Sequence, residues 1–286
     1  MTRPHWVPER LYPFESRYMD VDDARLHYLD EGGAGPPLLL LHGNPTWSFL
    51  YRDVIKALRD RFRCIAVDLP GFGLSSTPSE YGYTPAEHAD ILEHFVLQLD
   101  LNEVTMMTQD WGGPIGFAVA IKHPDRFTRF VIGNTWAWPM TDRRTRFFSG
   151  LMGGPIGRYL ITRRNLFVER MLPSGVKSGK LSDEVMEAYR GPFSNRDARR
   201  ATHILPREIV HSKAFLEEVE SGLGTLSDRP ALILWPTKDF AFGEAERKRW
   251  EEIFPNHRTV LLEGAGHFIQ EDAPEKIVAA IRDWNW

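Results

Sequence analysis

Short apolar runs alternate with helix-length segments along most of this chain, and no other feature narrows the fold as far. Strand-like runs fall at 26–30, 38–41, 63–69, 104–109 and 129–135. Their nearly continuous apolar character predicts strands covered on both faces, as in a parallel sheet. Helix-like segments fill the gaps at 49–60, 86–100 and 114–123. The pattern resumes with a strand at 231–236, a helix at 244–254, a strand at 258–264 and a helix at 274–284. This order implies an α/β fold with a mostly parallel central sheet and helices on both faces.

Residues 139–212 break the alternation. They hold helix-like pieces, Gly-Gly-Pro and Leu-Pro-Ser-Gly punctuation, and no convincing strand. So long an interruption inside a compact domain marks an inserted functional unit. We therefore expect a core of residues 1–138 and 213–286 carrying a helical cap at 139–212. The cap has 14 Lys/Arg against 7 Asp/Glu, a surplus of seven positive charges. The whole chain is at −4, which leaves −11 for the rest. The bias reads first as a solvated surface; a homo-oligomer joining cap to core is the alternative.

The bulk numbers exclude little else. At 42% apolar and 26% charged residues, the 286-residue chain looks like an ordinary soluble protein. A net charge of −4 gives no general reason to expect nucleic acid or a membrane as partner. No apolar run approaches the roughly 18–20 residues of a membrane span, and the first residues carry no apolar stretch of signal-peptide type. The single cysteine, Cys64, lies in an apolar run and reads as a small core residue needing no oxidising compartment. A cytoplasmic protein is expected.

The chemistry starts at 104-VTMMTQDWGGPIGF-117. A buried strand ends at a tip, and small residues open a helix behind it. That is the geometry of a nucleophile elbow, which lifts one side chain out of the sheet. The residue at the tip is Asp110, where the usual motif has serine, and no intact G-x-S-x-G occurs elsewhere. A helix N-terminus favours negative charge at such a tip. A carboxylate needs no base to attack a saturated carbon bearing a leaving group, and the product is an ester on the protein. A second step must then hydrolyse that ester with base-activated water. His267, after the strand at 258–264, stands where this fold places its base; Asp239, after 231–236, stands where an acid would fix the ring tautomer. After 38–41 comes 42-HGNPTW-47. The amides of Asn44 and Trp111 are the candidate oxyanion hole. Their side chains also carry donors, an amide NH₂ and an indole N–H, that suit an anion leaving the carbon.

Taken together, His42-Gly43-Asn44-Pro45, Asp110-Trp111-Gly112, Lys238-Asp239 and Gly266-His267 give the chain a close resemblance to the haloalkane dehalogenases of the α/β-hydrolase fold, over nearly its whole length. The resemblance implies Asp110 as nucleophile, His267 as base, Asp239 as acid, and Asn44 with Trp111 as the halide-binding pair. One branch of the family carries its acid after the strand preceding the cap, where this chain has Asn134, which cannot serve. Another draws a halide donor from a cap tryptophan, and no Trp occurs between 139 and 212. Trp136 and Trp138 stand at the cap entrance, where a pocket wall and core packing are equally good readings. The implied partners are a small apolar halogenated substrate and water, with alcohol, halide and a proton as products. No cofactor or metal is expected. The nearest rival is an epoxide hydrolase, which uses the same nucleophile with two cap tyrosines as ring-opening acids; the cap offers Tyr159 and Tyr189.

Overall fold

The computed structural model describes residues 3–21 and 23–284. Eight strands form one sheet: β1 (Arg17–Val21), β2 (Ala24–Glu31), β3 (Pro37–Leu41), β4 (Arg63–Val67), β5 (Val104–Thr108), β6 (Phe127–Gly133), β7 (Ala231–Pro236) and β8 (His257–Leu262). Their spatial order is β1-β2-β4-β3-β5-β6-β7-β8. β2 pairs antiparallel with β1 and β4, and every other neighbour is parallel. The apolar runs explain the parallel part. Leu38 to Leu41 and Val104 to Thr108 are buried on both faces, as strands roofed by helices must be. Cys64 lies in that core, and burial pushes its thiol up to about 12. The edge strand β1 escaped the sequence pattern because it is short and carries Arg17 and Asp20 outward, the charge that protects a free edge.

Helices α1 (Arg52–Leu58), α2 (Pro85–Gln98) and α3 (Gly112–Lys122) connect the first parallel strands. Local chemistry starts α2. The Thr84 hydroxyl accepts from the Glu87 amide at 3.3 Å, the Glu87 carboxylate accepts from the Thr84 amide at 2.9 Å, and Pro85 opens the first turn. The connection from β3 steps to one side and the connection from β5 to the other, so right-handed crossovers put α1 and α3 on opposite faces. The sheet order thus reverses direction between β3 and β5, the position where α/β sheets open a crevice at their carboxyl edge. In register, Leu41 lies beside Thr108 and Thr108 beside Ile132. The loops leaving β3, β5 and β6 therefore emerge together.

Between β6 and β7 the described residues contain no strand. They hold α4 (Arg143–Gly153), α5 (Pro155–Arg164), a π turn at Phe167–Met171, α6 (Leu172–Gly175), α7 (Asp183–Arg190), α8 (Arg200–His211) and α9 (Lys213–Gly222). α9 packs against α3 of the sheet layer. After β7 come α10 (Glu244–Ile253), then β8, α11 (Ile269–Asp272) and α12 (Pro274–Arg282), which packs with α1. No helix among the described residues is long and apolar enough to cross a membrane.

Candidate active site

Asp110 stands between β5 and α3 with φ +50°, in left-handed backbone that non-glycine residues seldom adopt. Three bonds hold it there. Its amide donates to the Asn134 carbonyl at 2.9 Å, and its carbonyl accepts from the Thr135 hydroxyl at 2.6 Å and the Gly113 amide at 3.0 Å. Two glycines make room: a Cβ at Gly43 would collide with the Asp110 side chain, and one at Gly112 with the Leu41 carbonyl. The Asn44 amide donates to Asp110 Oδ1 at 2.7 Å. His42 steadies that loop. Its Nδ1 donates to the Gly43 carbonyl and its Nε2 accepts from the Leu69 amide, both at 3.0 Å.

Asp110 Oδ2 faces the His267 ring, 3.6 Å from Nε2. The opposite edge, Nδ1, is 3.1 Å from both Asp239 oxygens. The Asp239 side chain is fully buried and also accepts from the Ala241 amide and from Asn134 Nδ2, each at 2.7 Å. Burial alone would raise the Asp239 carboxyl, but the His267 charge and these donors hold it below its ordinary 3.8. Burial pulls the His267 ring down, and the flanking carboxylates, Asp239 foremost, overcome it and lift the ring from 6.5 to about 10. The structure thus brings Asp110, His267, Asp239, Asn44 and Trp111 into one site.

The site opens into a cavity of about 260 Å³. Trp111, Trp136, Phe240, Phe242 and Phe268 wall it from the sheet side; Met140, Phe148, Phe167, Met171, Pro206 and Ile209 wall it from the helical side. Trp111 meets Trp136 edge to face at 4.8 Å, and Trp136 stacks on Phe242 at 5.2 Å. The side-chain N–H groups of Asn44 and Trp111 have no protein acceptor among the described residues. Dry aromatic walls around free donors strengthen any bond to an anion.

The sequence did not single out several of these residues. Gln109 is buried with Nε2 3.3 Å from His267 Nε2. Asn134, recognised only as a residue that cannot be the acid, is a donor to the acid. Phe240, Phe242 and Phe268 adjoin Asp239 and His267 in the chain, and that proximity was the available signal. Trp138 belongs to the core: it packs on Trp250 at 5.0 Å under the Arg249 guanidinium. The two tyrosines of the rival reading are elsewhere. Tyr159 is 54% exposed on the outer surface, and Tyr189 is fully buried, its hydroxyl donating to Glu271. Neither lines the cavity.

An eight-stranded, mostly parallel sheet with a carboxylate at its elbow and a histidine after its last strand defines an α/β hydrolase, and the family described as alpha/beta hydrolase fold matches residues 36–274. "Haloalkane dehalogenase 2" of Mycobacterium tuberculosis is 49% identical over 95% of both chains. The crystal structure of a haloalkane dehalogenase from Bradyrhizobium elkani superposes with a TM-score of 0.87 at 28% identity, covering 95% of this chain and 97% of that one. A cis-3-alkyl-4-alkyloxetan-2-one decarboxylase of Shewanella oneidensis is 31% identical over 96% of this chain and 89% of its own. The chain belongs to the haloalkane dehalogenases, enzymes that hydrolyse carbon–halogen bonds.

Proposed function

We propose that Asp110, His267 and Asp239 carry out the dehalogenation in two steps beneath a helical cap formed by residues 139–212. The observation that carries the reading is the His267 ring held between two carboxylates, one buried and bonded, the other facing an apolar cavity. Asp110 Oδ2 attacks the halogen-bearing carbon from behind. A C–O bond forms as the C–halogen bond breaks, and the halide leaves with the electron pair. The Asn44 amide group and the Trp111 indole receive it.

Esterification removes the Asp110 charge, one of the influences that keeps the proton on His267. The ring then falls toward its ordinary range and can act as base. His267 Nε2 takes a proton from water, and the hydroxide adds to the Asp110 carboxyl carbon. Oδ1 carries the resulting negative charge beside the Asn44 amide that already binds it at 2.7 Å. Collapse breaks the C–O bond to the alkoxide, which takes the proton back from His267 Nε2 and leaves as the alcohol. The new carboxyl group loses its proton through the ring to solvent, which restores the Asp110 carboxylate. Asp239 keeps the ring oriented throughout. Bromide and iodide leave faster than chloride, and fluoride does not leave measurably. We also place the enzyme in the cytoplasm, since its one cysteine, Cys64, is buried and asks for no oxidising compartment.

The test is halide release from 1-bromobutane and 1-iodohexane. Asp110→Asn abolishes it. His267→Gln releases one equivalent of halide per enzyme and stops with an alkyl ester on Asp110, detectable as a mass increase. Normal turnover by His267→Gln overturns the assignment of the base. Carbon dioxide from a β-lactone without halide from haloalkanes would move the chain toward the decarboxylase relative.

A further inference from the structure

Among the described residues, six large apolar side chains are conspicuously exposed, and four of them lie on α4 and α5 of the cap. Phe147 (72%) and Leu151 stand one turn apart on α4; Ile156 (65%) and Tyr159 stand one turn apart on α5. The two helices are in contact. Beside them is a recess of about 820 Å³ lined by Arg158, Arg163, Arg164, Arg196 and Arg207, with Tyr159 in its wall. No carboxylate lines it, and none of these five arginines forms a salt bridge among the described residues. Uncompensated cations packed this closely repel one another. The His203 Nε2 in the same wall is buried without a partner.

We propose that this face of the cap docks on an anionic lipid bilayer. Exposed aromatic and aliphatic side chains flanked by arginines are the makeup of a surface that lies in the headgroup layer without spanning it. The arginines complement acidic headgroups, while the apolar quartet reaches the acyl boundary. A symmetric contact with a second copy fits poorly, because it would set the same arginines against themselves. A small soluble anion would leave the four apolar side chains unexplained. The whole-chain charge of −4 conceals the patch, since an acidic core outweighs a basic cap.

The geometry gives docking a consequence. α4 turns Arg144, Thr145 and Phe148 toward the catalytic cavity and Phe147 outward. A docked cap therefore holds the cavity next to the phase in which haloalkanes concentrate. That consequence rests on the haloalkane reaction; the docking itself does not.

Co-sedimentation of the full chain with vesicles tests the proposal. It binds phosphatidylcholine vesicles containing about a third phosphatidylglycerol at low salt, dissociates at high salt, and ignores pure phosphatidylcholine. Replacing Arg158, Arg163, Arg164 and Arg207 together by Gln weakens binding by more than about 100-fold, at roughly fivefold per charge. Phe147→Ser with Ile156→Ser weakens it at least about tenfold. Both variants keep wild-type halide release from a water-soluble haloalkane, which shows that they fold. Absence of binding to the acidic vesicles, or binding kept by the fourfold arginine variant, overturns the proposal. So does a free wild-type oligomer that Phe147→Ser with Ile156→Ser dissociates, which would assign the face to a second copy. Inorganic triphosphate binding by calorimetry without vesicle binding would likewise replace the bilayer with a small anion.

Discussion

The carboxyl edge of the sheet and the helices between β6 and β7, the proposed cap, meet at the same cavity but are built on different physics. At the sheet edge, each reactive side chain is pinned by polar bonds. Asp110 has three through its backbone and one to Oδ1, and Asp239 accepts from His267, Ala241 and Asn134. Across the cavity, Phe148, Phe167, Met171, Pro206 and Ile209 are apolar and are placed by packing alone. Hydrogen bonds fix distance and direction. Apolar packing fixes volume and tolerates exchange for side chains of similar size. On the proposed assignment the reaction belongs to the edge, and the choice of substrate to the cap.

The sharpest break of that division is at Asp239. Asp239→Asn leaves a ring without its anionic partner, and the rate should fall by about 10⁴-fold, by analogy with other hydrolase triads. The fall should be the same for every haloalkane, because the substrate does not touch this residue. Asn134→Ala removes a donor shared by Asp239 and the Gly266 carbonyl and puts alanine at φ +43°; it should cost about tenfold. Steady-state halide release over a substrate panel reads both. Unchanged turnover in Asp239→Asn together with loss in Asn134→Ala would overturn Asp239 as the acid.

The two regions are tied by one buried cluster. Arg52 of α1 pairs with Glu271 of α11 through two bonds, one at 2.7 Å, and Tyr189 of α7 donates to the same carboxylate. Both charged side chains are nearly fully buried. Arg52→Met strands the Glu271 charge and should destabilise the fold by about 3–5 kcal/mol in denaturant titration. Halide release per folded molecule should stay within a factor of two. A large loss of that specific activity would mean that the tie also positions His267, four residues before Glu271.

A cap substitution should do the opposite of Asp239→Asn. Phe148→Ala enlarges the cavity wall without touching Asp110 or His267. It should lower kcat/KM for 1-bromobutane by about tenfold, the scale of lost apolar contact, and favour longer or branched substrates. An equal fall in kcat for all substrates would show the cap taking part in the chemistry and would erase the distinction.

The same contrast explains what the sequence could and could not reveal. Asp110, Asp239 and His267 each follow a strand, and a strand in a parallel sheet announces itself by a short apolar run; position in the chain then implies position at the edge. Asn44 was legible for the same reason, after Leu38–Leu41. The cavity walls were not. Phe148, Phe167 and Ile209 come from three cap elements separated in the chain, and their meeting is decided by helix packing, which no local pattern encodes. Tyr159 and Tyr189 show the limit most plainly. Inventory allowed both to face a substrate, and packing sends one to the surface and the other into an ion cluster. Asn134 and Gln109 were hidden differently: their positions were legible, but a hydrogen-bonding role depends on which way a side chain turns.

Gln109 offers the finest test of that kind. Its Nε2 lies 3.3 Å from His267 Nε2, close enough to donate to that nitrogen once the ring is neutral. A donor there stabilises the neutral ring and lowers its pKa, working against the carboxylates that lift the free ring to about 10. Gln109→Met removes the donor and should raise the ring pKa. With His267 as the base proposed above, ester hydrolysis needs the neutral ring, so the acid limb of its single-turnover pH profile should move to higher pH, by up to about one unit. The alkylation step, followed as the halide burst, does not use the ring as base and should keep its rate. A shift of the acid limb to lower pH would mean that the amide is turned the other way, with Oε1 accepting from a protonated ring. Gln109 would then be a restraint on the base that alkylation must relieve.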